Sequence, residues 1–204
     1  AHSLPSARGM GEPLTGRIVS ESGVTFEGVA IGSEESQILI SNSAGFGFIS
    51  TLSNAISNQK KGKQFMKTPD ESSVISPIAI NENHKFVAAT FSSQDKQGKV
   101  SNKMLIFPIE ELPVLPRGKG NKLISISTKS FKEKAEYMMD VCCLAEDSKL
   151  HIHHEGKTGG KTWTLNELDE YISSRAKRGR VLPAGYNGKI KLEEVQKSSD
   201  IAPE

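Results

Sequence analysis

Four short segments that combine glycine with lysine or arginine are the part of this chain best suited to chemistry. They read Arg8-Gly9-Met10-Gly11, Lys60-Lys61-Gly62-Lys63, Arg117-Gly118-Lys119-Gly120 and Lys177-Arg178-Gly179-Arg180. We call them loops 1 to 4, and they recur at intervals of about 50 to 60 residues, a period typical of repeat architectures. Glycine leaves backbone amides accessible, and the cationic side chains beside them attract phosphate oxygens. The pattern therefore predicts four phosphate-binding positions along one scaffold.

The charge of the chain is distributed unevenly, although the net charge is only +2. Residues 57–68, 112–132 and 175–192 contain cations and no acidic residue. Clustering of this kind, rather than net charge, indicates a nucleic-acid surface. The side chains that we predict to contact DNA phosphates are Arg8, Lys60, Lys61, Lys63, Arg117, Lys119, Lys122, Lys177, Arg178 and Arg180.

Three predicted β-hairpins position these loops. Each hairpin joins two apolar runs across a turn, at residues 37–52, 85–107 and 150–165. In the second hairpin, the polar residues 92–102 predict a mobile loop. A short helical element follows each hairpin, at 53–57, 109–112 and 166–173, and a basic loop comes next. Thr164 and Glu167 have the spacing of a capping box at the last of these elements.

Additional β-prone runs complete each repeat. They follow the loops at 64–66, 122–126 and 189–192, and they precede the hairpins at 28–31, 74–80 and 138–144. Each repeat therefore predicts a four-stranded blade. Within one domain we place the end of a preceding blade at 1–16, blades at 17–68, 69–126 and 127–196, and a disordered tail at 197–204. Because the chain begins inside a repeat, we expect an exposed blade edge through which it self-associates.

Other candidate sites have simpler interpretations. His151 and His153 share one face of a strand, but no third or fourth zinc ligand is nearby in sequence, so polar strand surface is the better interpretation. The adjacent Cys142 and Cys143 are interpreted as reduced thiols in the core. No nucleophile, base and orienting group fall together in a recognisable motif, so we predict no catalytic residue, metal or small-molecule substrate.

Three longer motifs resemble a known family. They are LPSARGMGEPLTG at 4–16, SAGFGF at 43–48 and LPRGKGNKLI at 115–124. Shorter matches follow in the same order at 105–113, 164–168 and 178–180. Together they resemble the C-terminal domain of the A subunit of bacterial DNA topoisomerase IV, in the gyrase A C-terminal domain family. The resemblance spans roughly residues 3 to 194.

The resemblance implies an all-β fold, the β-pinwheel, in which propeller-like four-stranded blades exchange strands and a basic rim bends DNA. This chain would hold an incomplete set of about three blades. The catalytic tyrosine of the family lies in an N-terminal part that is not in this sequence, so Tyr137, Tyr171 and Tyr186 are not read as catalytic. The implied partners are double-stranded DNA, the N-terminal part of the same polypeptide and the B subunit of topoisomerase IV. ATP and Mg²⁺ are expected elsewhere in the holoenzyme, with no cofactor in this chain.

We therefore predict a non-catalytic DNA-binding and DNA-bending domain of a type II topoisomerase that presents duplex DNA for strand passage in decatenation and supercoil relaxation. Pro116 to Gly120 only approximates the glycine-arginine box of gyrase A, which favours shallow bending over full wrapping. The alternative is a propeller-like protein-interaction module. The sequence has no apparent signal peptide or membrane span, which predicts the cytoplasm. The resemblance implies a bacterial cell and association with the chromosome. Peripheral membrane association of the holoenzyme is left open.

Overall fold

β-strands dominate the computed structural model, which describes residues 23–59, 62–155 and 160–196. The strands are β1 (Gln37–Asn42), β2 (Phe46–Thr51), β3 (Val74–Ile80), β4 (His84–Gln94), β5 (Val100–Pro108), β6 (Asn121–Lys122), β7 (Glu136–Ala145), β8 (Lys149–His154), β9 (Lys161–Thr164), β10 (Arg180–Val181) and β11 (Ile190–Val195). The short helical segments are Leu52–Ala55, Ile109–Glu111, Thr128–Lys132 and Asn166–Tyr171. No helix of the described ranges is long and apolar enough to span a membrane.

Each of the three predicted hairpins belongs to a separate antiparallel sheet. Sheet 1 has the strand order β3-β1-β2-β6, sheet 2 has the order β10-β5-β4-β7, and sheet 3 has the order β11-β8-β9. The β-turn of the first hairpin depends on Asn42, whose side-chain oxygen accepts hydrogen bonds from the amides of Ala44 (3.1 Å) and Phe46 (3.3 Å). Gly45 completes the turn with a φ of +81°, a conformation that glycine adopts without strain.

Strands are exchanged between neighbouring sheets. β6 follows the second hairpin in the chain but pairs with β2 of sheet 1. In the same way, β10 follows the third hairpin but pairs with β5 of sheet 2. The sheets therefore draw strands from both sides of the predicted boundaries near 68 and 126, and those boundaries remain sequence predictions. The segments predicted at 1–16 and 197–204 lie outside the described residues.

Two apolar clusters fill the spaces between the sheets. One joins sheets 1 and 2 and includes Leu39, Phe91, Phe107, Leu123 and Ile124, all of which are buried. The other joins sheets 2 and 3 and is formed by a second set of buried side chains, including Met104, Ile106, Leu150, Ile152 and Leu168. Burying a side chain of this size contributes about 1.5–3 kcal/mol, so these clusters are the main source of stability between sheets.

The predicted loop at 92–102 was too long. Ser92, Ser93 and Gln94 belong to β4 and pair with Asn102, Ser101 and Val100 of β5, so the turn is confined to residues 95–99. The polar side chains have partners distant in sequence. Asn102 donates to the backbone oxygens of Tyr186 and Gly188, both at 2.6 Å. A polar run therefore continues the strands where a loop was expected.

Two other predicted strands do not form, and a third, predicted at 122–126, is reduced to its first residue, Lys122 of β6. Residues 28–31 have no strand pairing, and the residues beside Gly28 leave no space for a side chain because a Cβ there would lie 2.1 Å from Ser76 Oγ. Residues 64–66 contribute only an isolated bridge between Met66 and Gly118. The predicted strands at 74–80 and 138–144 are confirmed as β3 and most of β7.

The predicted capping box and the core position of the cysteines are confirmed. The Glu167 carboxylate accepts from the Thr164 amide at 2.8 Å, and the Glu167 amide donates to the Thr164 hydroxyl at 3.4 Å. Cys142 and Cys143 are free thiols and both are buried. Burial raises the pKa of Cys142 to about 12, with a smaller contribution from the Glu194 charge, so the thiol stays protonated at neutral pH.

Candidate nucleic-acid interface

Loops 3 and 4 have the same backbone arrangement at two successive sheets. Asn121, which follows Gly120, pairs with Gly47 of β2, and Arg180, which follows Gly179, pairs with Met104 of β5. Gly120 and Gly179 precede these pairs with φ values of +73° and +63°. A Cβ at these glycines would lie 2.4 Å from the Gly47 oxygen and 2.3 Å from the Met104 oxygen. Both positions therefore require glycine, for conformation and for space.

The chain also contacts the same strands before it enters each loop. Val114 forms a parallel bridge with Ile49 of β2, and Ile172 forms one with Ile106 of β5. Each loop therefore reverses the chain at the edge of the preceding sheet, arriving parallel to the second hairpin strand and leaving antiparallel to it. Backbone bonds on both sides hold each loop in place.

Successive loops are joined by equivalent backbone hydrogen bonds. The amide of Lys67, five residues after Gly62, donates to the Gly118 oxygen of loop 3 at 2.9 Å. The amide of Ser125, five residues after Gly120, donates to the Lys177 oxygen of loop 4, also at 2.9 Å. The repeat alignment based on the glycines therefore corresponds to a repeated contact. It places the described residues of loop 2, Gly62 and Lys63, in one row with loops 3 and 4.

Three predicted contact residues carry unpaired cationic groups on this row. Lys63, Arg117 and Lys177 are exposed, and within the described residues their side chains have no hydrogen bond or ion pair. Lys119 is also exposed, with its Nζ 4.3 Å from the centre of the Phe46 ring. A cation over an aromatic face keeps its charge and its outward hydrogen-bonding capacity. These four side chains remain available for phosphate.

The other described candidates already have partners. Lys122 Nζ donates to the Ile126 oxygen, which turns this side chain inward. Arg180 lies 3.8 Å from the Glu170 carboxylate, and both side chains are more than half exposed, so their attraction is weak. Arg178 forms a bidentate ion pair with Glu136. Arg8, Lys60 and Lys61 lie outside the described residues, and DNA contact by all ten candidates stays a prediction.

The Arg178–Glu136 pair connects loop 4 to the start of β7. Arg178 donates to both oxygens of Glu136, which is 5% exposed, and the same carboxylate accepts from Ser93 Oγ at 3.1 Å. Burial alone would raise the pKa of Glu136. The hydrogen bonds and charge of Arg178, with the bonds from Ser93 and the Ser127 backbone, outweigh burial and lower this pKa below its ordinary value.

Arg175 has a structural role that was not assigned from the sequence. Its guanidinium donates to the backbone oxygens of Glu111 at 2.9 Å and Lys122 at 2.6 Å. Its own amide donates to the Glu111 carboxylate at 2.8 Å. Arg175 thus ties the segment before loop 4 to the segments on both sides of loop 3. In the sequence it looked like one more cation of the acid-free run 175–192.

The histidines occupy the exposed face of sheet 3, as predicted. His151 is 2.7 Å from the Thr162 hydroxyl, and His153 Nε2 is 2.6 Å from the Glu193 carboxylate. Across the described parts of the chain, no three histidine, cysteine, aspartate or glutamate side chains are grouped so that they could hold a metal ion.

Comparison with known proteins identifies relatives across almost the whole chain. The A subunit of DNA topoisomerase 4 from Haemophilus influenzae is 31% identical over 196 residues, covering 95% of this chain and 25% of the relative. The Pseudomonas aeruginosa protein of the same name is 32% identical over 188 residues, covering 91% of this chain and 24% of the relative. The chain thus spans about a quarter of the length of these relatives. No model of a protein family matches the chain.

Solved structures show the same fold. The Escherichia coli ParC C-terminal domain aligns with a TM-score of 0.79 at 27% identity, covering 96% of this chain and 75% of that structure. A DNA gyrase A C-terminal domain aligns with a TM-score of 0.58 at 14% identity, covering 80% of this chain and 50% of that structure, which supports the fold alone. The predicted all-β pinwheel is confirmed. The chain is homologous to the A subunits of DNA topoisomerase IV over about 90% of its length, and its structure matches the ParC C-terminal domain.

Proposed function

We propose that this chain is a non-catalytic, DNA-binding domain of a type II topoisomerase, and that the row of basic loops holds the duplex. The observation that carries the proposal is the equivalent pair of hydrogen bonds, Lys67 to Gly118 and Ser125 to Lys177, that joins successive loops. Cations that would otherwise be isolated on separate sheets are thereby aligned. Homology to the topoisomerase IV A subunit supports the same function.

Binding would depend on phosphates rather than on base identity. Lys63, Arg117, Lys119 and Lys177 are exposed, and all four belong to the basic loops. Long cationic side chains of this kind neutralise phosphates and carry little sequence information. Bending 20–30 base pairs costs on the order of 1–6 kcal/mol, so several loops must act together to curve the duplex. A row of loops held at fixed spacing meets that requirement.

In the whole protein, this domain would present duplex DNA for strand passage during decatenation and supercoil relaxation. Its partners would be the N-terminal part of the same polypeptide and the B subunit of the enzyme, with ATP and Mg²⁺ acting there and no cofactor bound by this chain. The protein would act in the bacterial cytoplasm on the chromosome. Bacterial relatives named as subunits of DNA topoisomerase 4 support this setting.

Self-association is a further part of the proposal. Residues 23–31 lack strand pairing and expose Val24, Phe26, Val29 and Ile31, the last two by more than 70%. We expect a second copy of the chain to cover this apolar segment at high concentration. Sedimentation at rising concentration tests the expectation, and a constant monomer mass at high concentration contradicts it.

Titration of the chain onto linear duplex DNA at several salt concentrations tests DNA binding. Affinity should fall steeply with salt, with a slope of log K against log salt near −0.9 for each neutralised phosphate. The double variant Arg117→Gln/Lys119→Gln should lower affinity and make this slope shallower by about 1.8, because two contacts are lost.

Lys85→Gln/Lys149→Gln is the matched control. Both lysines are exposed. Lys85 is the second residue of β4 and Lys149 is the first residue of β8, so both lie at the strand end opposite the hairpin turn and away from the loops. The same loss of net charge should leave the salt slope nearly unchanged. Absence of binding at low salt, or binding indifferent to salt, contradicts the proposal and favours the alternative of a protein-interaction module.

A further inference from the structure

We infer that Arg178 is a positioning residue, which fixes loop 4 through the buried carboxylate of Glu136 while Lys177 and Arg180 make the phosphate contacts of that loop. The inference rests on the proposed DNA-binding function. It changes the role of one cation that the sequence places among the DNA contacts.

Several contacts hold the guanidinium of Arg178 against other groups of the protein. Its two terminal nitrogens donate to both oxygens of Glu136, and one of them also lies 3.4 Å from the Ser125 oxygen. The guanidinium carbon is 5.7 Å from the centre of the Phe91 ring. A planar guanidinium fits such a carboxylate and aromatic face together, and this restricts its orientation.

Moving Arg178 to a phosphate would leave Glu136 without its counterion. The Glu136 side chain is only 6% exposed, whereas that of Arg178 is 48% exposed. Leaving a buried carboxylate without its charged partner strongly destabilises the folded protein. Ser93 Oγ would remain as a neutral donor, which does not replace the charge. Electrostatics therefore favour Arg178 staying on Glu136 when DNA binds.

The equivalent place in sheet 1 has no acid. Phe91 pairs with Met138 in β7, and the equivalent Asn42 pairs with Val74 in β3. Two residues before Met138 stands Glu136, whereas Ser72 stands two residues before Val74. Lys119, the counterpart of Arg178 in loop 3, accordingly has no carboxylate partner among the described residues and lies over Phe46 instead.

The contacts of loop 4 explain what this anchor would hold. The Lys177 oxygen accepts from Ser125, and the Ala176 amide donates to the Leu123 oxygen at 3.0 Å. Lys177 and Arg180 flank Arg178 on this same short loop. Loss of the anchor would let these two cations move away from the line of phosphates.

DNA affinity of Glu136→Gln provides the test, because this variant gains one unit of positive charge. If Arg178 positions the loop, the affinity of this variant should fall by about fivefold. The slope of log K against log salt should become shallower by about 0.9, the value for one phosphate contact. Arg178→Gln should show a similar loss, and the double variant should be no weaker than either single variant. If Glu136 merely competes with DNA for Arg178, Glu136→Gln binds more tightly instead, and that result overturns the inference.

Glu170→Gln is the matched control. It removes the exposed acid near Arg180, with the same change in charge and no buried anchor. Its affinity should stay equal or rise up to about twofold, as expected for a weak exposed pair. A loss equal to that of Glu136→Gln would show that the effect is not specific to the anchor.

Amide hydrogen exchange separates this inference from the proposed function. In Glu136→Gln, the Ser125 and Ala176 amides should exchange faster, while the equivalent Lys67 amide beside loop 3 should be unchanged. Faster exchange in a protein that does not bind DNA would support the anchoring role of Arg178 and Glu136 and would contradict the proposed DNA-binding function. Unchanged exchange at Ser125 and Ala176 overturns the anchor itself, even where the variant remains folded and binds DNA.

Discussion

Loops 3 and 4 share one backbone geometry but use their cations differently. Gly120 and Gly179 cross a strand oxygen at the same point and with similar φ values. In loop 3, Arg117 and Lys119 have no ion-pair partner within the described chain, whereas in loop 4 Arg178 is bound to a buried acid. Glycine therefore fixes the position of each loop, and nearby acidic side chains determine how many of its cations remain free to bind phosphate.

Replacement of the glycines should have the largest effect on the stability of the two loops. Gly120→Ala and Gly179→Ala combine positive φ with a clash against backbone oxygen, so we expect each to lower the free energy of unfolding by about 2–5 kcal/mol. Gly62→Ala is the control, since its φ is +73° but no atom lies within 4 Å of the added Cβ. This variant should lower the free energy of unfolding by only about 1 kcal/mol, because the positive φ is its one unfavourable feature.

Urea denaturation of the three variants measures these differences. A similar, small cost at all three glycines would show that the close approach to Gly47 and Met104 does not constrain the loops. Loops 3 and 4 would then owe their positions to other contacts.

Arg175 offers the next largest effect, because it anchors loop 4 without facing solvent as a free charge. Arg175→Ala removes two hydrogen bonds to backbone oxygens, of Glu111 and Lys122. We expect a loss of about 2–3 kcal/mol in the free energy of unfolding, the range for bonds from a charged donor. Arg117→Ala should change stability by less than about 0.5 kcal/mol, as is usual for an exposed side chain without partners. Thermal unfolding measures both variants. An equal loss of stability in Arg175→Ala and Arg117→Ala would show that Arg175 does not anchor loop 4.

Acid pH should weaken loop 4 selectively. The Arg178 bonds and charge outweigh burial and hold the pKa of Glu136 below its ordinary value of 4.5. A carboxyl with a lowered folded pKa stabilises the fold above its unfolded pKa, and that contribution is lost as pH falls through the folded value. At pH 7, we expect the free energy of unfolding of the wild type to exceed that of Glu136→Gln by about 1–2 kcal/mol. The difference is no larger because the Arg178 side chain is half exposed.

The difference in the free energy of unfolding between wild type and Glu136→Gln should become smaller as the pH falls below about 5. Glu194 also has a lowered pKa, but its titration is common to both proteins and cancels in the comparison. Chemical denaturation at a series of pH values measures it. A difference independent of pH would mean that the Glu136 charge does not hold loop 4.

Much of the fold could be predicted because its signals are local. The Asn42 turn, the apolar runs of β1 and β2, and the Thr164–Glu167 capping box each depend on a few neighbouring residues. The spacing of Gly120 and Gly179 even predicted the equivalence that the backbone bonds display. The family resemblance then supplied the exchange of strands between blades.

The details of the site could not be read in the same way. Glu136 and Arg178 are 42 residues apart, and nothing near Glu136 marks it as the partner of a loop. Arg175 and Lys122 have the same residue types as free cations, but their hydrogen bonds to backbone oxygens depend on where other segments pass. Asn102 likewise appeared to belong to a loop because its partners, Tyr186 and Gly188, are distant in sequence.

Strand exchange also has a consequence for how the domain folds. The pairs Gly47–Asn121 and Met104–Arg180 close sheets whose central hairpins were completed much earlier in the chain. High contact order of this kind slows folding, because loop-closure entropy is lost before the distant pairs form. Sheet 1 cannot acquire its last strand until the second hairpin has been synthesised and placed. Sheets 1 and 2 should therefore emerge from the ribosome with an unfinished edge, which β6 and β10 complete in turn.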